Sequence, residues 1–213
     1  MKKIAVMGGS FNPPTLAHEK LMDTVVDTLG ADLGIFVPSS NKYVIRKMNK
    51  VKRDNQVYSE YEREHMLNII CDSHKNFTVD TCEFGDDGRG YTYRTLCEIQ
   101  KKYPDAEIYF ICGGDKLNII PKWHSANDLL ERFHFAVTAR KDDNPHEQIE
   151  CNTILNKYKD KFVIIEQPEG IDEISSTEAR MLINKRNSKL YKICNKLVTE
   201  YIKELKYKGS VSK

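Results

Sequence analysis

Gly8 and Gly9 close the apolar run Ile4-Ala5-Val6-Met7, and Ser10, Phe11, Thr15 and His18 follow in the next nine positions. Glycines at a strand end let backbone approach a phosphate closely, and a helix starting there offers unpaired N–H groups and a positive dipole end. Thr15 is the expected N-cap. His18, three residues on, falls on the same side of the first turn, so a hydroxyl and an imidazole are expected to face one ligand. The chemistry that suits this set is phosphoryl transfer, because a first-turn imidazole can donate to a phosphoryl oxygen whose charge grows during reaction. A lone histidine in such a place is more often a surface residue, and the turn composition alone leaves both readings open.

Three further stretches could join that turn. Ser175, Ser176, Thr177 and Glu178 read as a capping box with Ser175 as N-cap, which by itself explains the serine and the glutamate. It leaves Arg180 unexplained: near the same helix end, a guanidinium could join free N–H groups in gripping the β- and γ-phosphates of a nucleotide. Gly113-Gly114-Asp115 is either an ordinary strand-ending turn or a place where a carboxylate accepts hydrogen bonds from ribose hydroxyls. The basic stretch from Lys42 to Arg53 is either a solvated surface or a loop overhanging the cleft, from which a few charges neutralise a triphosphate. Two other signals fail. Gly85-Asp86-Asp87-Gly88-Arg89-Gly90 does not match the dinucleotide fingerprint, and Asp115-Lys116 lacks the Ser/Thr and spacing of a Walker loop. Neither a hydride-transfer dehydrogenase nor a P-loop ATPase is supported.

Taken in order, Gly8 to His18, then Phe110-Ile111-Cys112-Gly113-Gly114-Asp115 with Trp123, then Ile174 to Arg180 resemble the nucleotidylyltransferase superfamily, with its Thr/His-x-x-His and Ile-Ser-Ser-Thr-x-x-Arg motifs. The middle segment is similar to one branch, the bacterial nicotinate mononucleotide adenylyltransferases. The resemblance spans residues 4 to 180. It implies transfer of AMP from ATP, with Mg²⁺ on the triphosphate, to nicotinate mononucleotide. The products would be nicotinate adenine dinucleotide (deamido-NAD), a precursor of NAD, and pyrophosphate. It implies catalytic roles for His18, Thr15 and Arg180, and ATP binding by Gly8, Gly9, Ser10, Phe11, His18, Gly113, Asp115, Ile174, Ser175, Ser176, Thr177 and Arg180. For the acceptor it implies Thr92, Tyr93, Trp123 and His124, with Lys47 carried forward from the basic stretch.

Each acceptor residue has a plainer alternative. Trp123, the sole tryptophan, is a core anchor or a stacking platform for a pyridine ring. Tyr91-Thr92-Tyr93 resembles a segment that in relatives lies against the pyridine carboxylate through backbone N–H groups, although Tyr93 could simply be buried. Thr15 stands where many relatives carry histidine, which excludes a two-imidazole mechanism, and Ala17 replaces a common glycine. The Pro-Pro-His-Lys segment of many relatives is absent. Nicotinamide mononucleotide and phosphopantetheine remain alternative acceptors. A non-catalytic nucleotide-binding regulator also stays open, although retention of His18 together with Arg180 speaks against it.

The elements that must position these residues follow from periodicity. Short apolar runs at 3–7, 33–38, 77–83, 107–112, 134–139 and 161–166 read as strands. Helical patterns lie at 16–29, 59–71, 92–102 and 189–205, with weaker ones at 125–132, 146–158 and 176–185. The alternation predicts an α/β fold, a Rossmann-like parallel sheet with helices on both faces, in a single domain of residues 1–206 followed by a polar tail, 207–213. The motifs each follow a strand and should meet in one cleft beyond the carboxyl ends. With 213 residues and a net charge of +2, neither a second domain nor a nucleic-acid partner is indicated. No run approaches a membrane span and no signal-peptide core follows Met1, so a cytoplasmic protein is expected. Six cysteines without a Cys-x-x-Cys pair read as reduced thiols and not as metal ligands. A homo-oligomer is left open.

Overall fold

Each of the six apolar runs becomes a strand in the computed structural model of the chain, in which residues 1–51, 56–85, 87, 89–140 and 142–211 are described. The strands are β1 (Lys3–Gly9), β2 (Leu33–Pro38), β3 (Phe77–Val79), β4 (Glu107–Gly113), β5 (His134–Ala139) and β6 (Phe162–Glu166). They form one parallel sheet in the order β3-β2-β1-β4-β5-β6. Parallel neighbours need crossovers, and helices supply them: α1 (Leu16–Leu29), α2 (Asn41–Val51), α3 (Glu60–Cys71), α4 (Thr92–Lys102), α5 (Ala126–Arg132), α6 (Pro145–Cys151), α7 (Thr153–Lys157), α8 (Ser176–Asn184) and α9 (Lys196–Val211).

The two-residue period of the strands sends alternate side chains to two cores. Ala5 and Met7 of β1 join Met22 and Val25 of α1, Met66 and Leu67 of α3, Ile183 of α8 and Val198 and Ile202 of α9 on one face. Ile4 and Val6 join Leu96 and Ile99 of α4, Leu129 and Leu130 of α5 and Leu155 of α7 on the other. Both faces are covered, which is why the strands read as continuous apolar runs. The strand order reverses between β1 and β4, and in open sheets of this kind the crevice at that reversal is where ligands bind.

Local chemistry redraws several boundaries. β3 stops at Val79 and not at 83, because Asp80 Oδ1 accepts from Cys82 N and Thr81 O accepts from Phe84 N, turning the chain away from β2. The basic stretch, left open between a solvated surface and an overhanging loop, is helix α2 as far as Val51, and its Val44 and Met48 are buried one turn apart. Lys52 and Arg53 lie outside the described residues. The helix expected over 146–158 is two, α6 and α7, because Asn152 Oδ1 accepts from Ile154 N and Leu155 N at 3.1 Å each and caps a new start. The pattern over 189–205 likewise divides into a 3₁₀ turn, Ser188–Lys192, and α9, before which Asn195 Oδ1 accepts from Leu197 N at 3.0 Å. Helix α9 continues to Val211, past the place where the apolar period ends; Ser212 and Lys213 lie outside the described residues.

Candidate active site

The turn from Gly8 to Thr15 leaves β1 at the sheet's reversal point and enters α1. Two cavities meet along it. The larger, about 360 Å³, runs over the ends of β1 and β4 and is lined by Tyr43, Glu83, Thr92, Phe110, Gly113, Lys116 and Trp123 among others. The smaller, about 340 Å³, is lined by Phe11, Asn12, Met48, Ser176, Thr177 and Arg180. Gly8, Gly9, Ser10, His18 and Lys47 line both, so they form the boundary between the two spaces. The backbone at Gly9 packs tightly on the Phe11 ring: a Cβ there would stand 3.0 Å from Phe11 Cζ. Phe11 itself takes a left-handed backbone, φ 43°, and sets its ring edge-on to His18 at 5.1 Å and to Phe36 at 5.7 Å.

The turn is anchored from three sides. Arg63 of α3, fully buried, donates from Nη1 to Ser10 O at 3.0 Å, from Nη2 to Asn41 Oδ1 at 2.9 Å and from Nε to Tyr58 O at 3.2 Å. Asn12 donates to Gln56 O and accepts from Tyr58 N, each at 2.9 Å. From α8, Ser176 Oγ donates to Pro13 O at 2.8 Å and Arg180 Nη1 to Asn12 O at 2.7 Å. Helix α8 is set by Ser175, whose Oγ accepts from Glu178 N at 3.1 Å.

His18 is held in one tautomer. Its Nδ1 accepts from Thr15 N at 3.0 Å, and a backbone N–H can only donate, so the proton of the neutral ring sits on Nε2. Thr15 Oγ1 lies 2.8 Å from the same Nδ1. Burial, and then the charge of Lys47, push the imidazole down to about 4 against a smaller upward pull from the Thr15 backbone. His18 is therefore a neutral donor at neutral pH. Thr15 is fully buried and lines neither cavity, so its hydroxyl faces the imidazole and not a ligand, contrary to the sequence expectation. A first-turn hydroxyl at an N-cap turns back onto its own helix.

The boundary is electropositive. Lys47 Nζ lies 3.4 Å from Ser10 Oγ, and its ammonium is lowered from the ordinary lysine value by burial and by the charges of Lys116 and Arg180. Three cations gathered about one turn make a site for polyanions. Arg180 is buried and its other fork arm, Nη2, donates to Thr177 Oγ1 at 3.2 Å.

The remaining sequence candidates divide. Thr92, Trp123 and Gly113 line the larger cavity; Phe11, Ser176, Thr177 and Arg180 line the smaller. Trp123 stands edge-on to Phe110 at 6.0 Å and is partly buried. Ile174, Ser175, Asp115, Tyr93 and His124 line neither. Asp115 is paired with its neighbour Lys116 and exposed. Tyr93 packs edge-on to Phe133 and accepts from Arg132 Nη1 at 3.0 Å, and His124 stacks on Tyr91 at 4.2 Å. Arg63, Lys116, Tyr43 and Glu83 were not anticipated. Arg63 sits among Glu60, Glu62 and Glu64, a charge pattern that in sequence looks like a solvated helix face. Among the described residues no group of three or more His, Cys, Asp or Glu could hold a metal ion. No helix among them is long and apolar enough to cross a membrane.

Residues 6–182 match the family model described as cytidylyltransferase-like, and the chain belongs to that family. It is 32% identical over 192 residues to a protein of Lachnoclostridium phytofermentans, covering 90% of this chain and 92% of that one. A second relative, from Listeria monocytogenes serotype 4a, is 32% identical over 202 residues, 95% of each chain. Both carry the name "Probable nicotinate-nucleotide adenylyltransferase". The fold is also that of the nicotinic acid mononucleotide adenylyltransferase of Plasmodium falciparum, solved in complex with NaAD: TM-score 0.70 and 22% identity, covering 96% of each chain.

Proposed function

We propose that the protein is a nicotinate-nucleotide adenylyltransferase, joining the AMP part of ATP to nicotinate mononucleotide and releasing pyrophosphate. The observation that carries this reading is the pair of cavities sharing Gly8, Gly9, Ser10, His18 and Lys47. One space suits a triphosphate at the start of α8, the other an aromatic mononucleotide beside Trp123, and the reacting phosphorus belongs at their boundary. The acceptor phosphate is already an anionic nucleophile, so no general base or covalent intermediate is needed. An acceptor oxygen bonds to the α-phosphorus as the bond to the β-phosphate oxygen breaks, and pyrophosphate leaves with that electron pair.

Catalysis then consists of alignment and charge stabilisation. His18 Nε2–H and Lys47 face the charge that develops at the α-phosphate, and the N-terminal turn of α8 with Arg180 receives the β- and γ-phosphates. Thr15 positions His18. Trp123 offers a face to the pyridine ring, and the backbone of Thr92, opening α4, suits its carboxylate. Magnesium would enter on ATP and lend positive charge to its phosphates, the described residues offering no cluster of three His, Cys, Asp or Glu to hold it. Six free cysteines suit a reducing, cytoplasmic setting. The test is pyrophosphate release from ATP and Mg²⁺ with nicotinate mononucleotide, nicotinamide mononucleotide or no acceptor. We expect release with the acid form and a dinucleotide product. Release only with the amide would reassign the acceptor, and nucleotide binding without release would make the chain a binding module.

A further inference from the structure

Glu83 is a buried carboxylate that the mechanism leaves unused, although it lines the acceptor cavity. It lies in the turn that ends β3, fixed by the Asp80–Cys82 and Thr81–Phe84 hydrogen bonds. Thr95 Oγ1 donates to Glu83 Oε1 at 2.6 Å, a short, charge-assisted contact inside the fold. Thr95 lies one turn into α4, behind Thr92. Glu83 therefore restrains the helix end that faces the pyridine side of the cavity. Burial weakens the guanidinium of Arg63, and the charges of Glu60 and then Glu83 support it. Arg63 stacks over the neighbouring Phe84 ring at 5.8 Å and, as described, grips Ser10 O and Asn41, the first residue of α2. The turn that ends β3 thus touches α4 through Glu83 and, through the Phe84 ring, the arginine that holds the phosphate turn.

We propose that Glu83 is a positioning residue for the acceptor: through its hydrogen bond with Thr95 it sets the first turn of α4 against the turn that ends β3. The inference rests on the functional reading above. Its consequence is selective. Losing the Glu83–Thr95 contact lets the α4 end shift relative to the phosphate turn, so acceptor alignment suffers while the smaller cavity, lined by the turn, α1, α2 and α8 and by no residue of α4, keeps its walls.

The test uses Thr95→Val, which keeps the shape and leaves the Glu83 carboxylate in place, together with Glu83→Gln and the double variant. We expect Thr95→Val to raise KM for nicotinate mononucleotide about tenfold, the scale of one buried hydrogen bond to a charge. KM for ATP should stay within about twofold. The increment from Thr95→Val should be smaller in the Glu83→Gln background, because both changes touch one contact. An unchanged acceptor KM in folded Thr95→Val, equal shifts in both Michaelis constants, or full additivity would overturn the proposal. A parent enzyme that never turns over nicotinate mononucleotide would instead remove the functional reading on which it stands.

Discussion

His18→Ala removes the neutral donor at the boundary of the two cavities, and its consequences can be worked from the contacts. Because the Nδ1 lone pair is committed to Thr15 N, the lost interaction is the Nε2–H. Removing one preorganised donor to a developing phosphoryl charge costs roughly 10²–10³-fold in turnover. Ground-state nucleotide affinity should change less, since Arg180, Lys47 and the α8 end are untouched. The same substitution has a signature in stability. The ordinary histidine value is 6.5, and the folded chain holds His18 at about 4. Above 6.5 both states are neutral; between 6.5 and 4 the unfolded chain takes up a proton that the folded one refuses. Stability should therefore fall as the pH drops through this window, by about 3 kcal/mol at its lower end at about 1.4 kcal/mol per pH unit. Steady-state pyrophosphate release and urea titrations at pH 7 and pH 4.5, on parent and variant, measure both effects. The variant should lose turnover and show a shallower loss of stability towards acid. Near-parental turnover together with an unchanged acid slope would refute the assignment of His18 as a neutral donor.

Four further outcomes follow from the geometry. Arg180→Lys cannot serve both Asn12 O and Thr177 Oγ1, so KM for ATP should rise about tenfold; an unchanged ATP dependence in initial rates would return Arg180 to a packing role. Trp123→Ala should raise KM for the mononucleotide about fivefold with ATP unaffected, the scale of roughly 1 kcal/mol of aromatic contact. A matching loss of folded protein in thermal melts would instead identify a core anchor. Arg63→Met should cost about 3–5 kcal/mol in denaturant titrations, because it strands the Ser10 and Tyr58 carbonyls and Asn41 Oδ1 in the interior. Inorganic pyrophosphate should raise the parent's Tm by a few degrees, and Lys47→Met should abolish most of that rise; equal stabilisation of both would place the anion elsewhere.

The sheet was legible because its strands are buried on both faces, and α1 was legible because its caps and apolar stripe agree. What escaped was decided by tertiary partners. Helix α2 hides in the sequence because, among its residues of described burial, only Val44 and Met48 are apolar and buried, while Lys42, Arg46, Lys47 and Lys50 dominate its composition. Arg63 reads as an ordinary surface charge, since nothing local records that Ser10, Asn41 and Tyr58 close around it in the interior. Thr15 and His18 were recognised as neighbours, but spacing cannot say whether a hydroxyl points outward or back to the ring. The breaks at Asn152 and Asn195 were hidden by apolar residues that continue on either side, and were settled by side-chain caps.

The stereochemical course at the α-phosphorus tests the central claim most directly, because two adjoining cavities that share His18 and Lys47 bring donor and acceptor together for one displacement. ATP made chiral at the α-phosphorus with sulfur and oxygen isotopes, turned over with nicotinate mononucleotide, should give a dinucleotide with inverted configuration. Retention would mean two displacements through an enzyme-bound adenylyl group and would contradict the account.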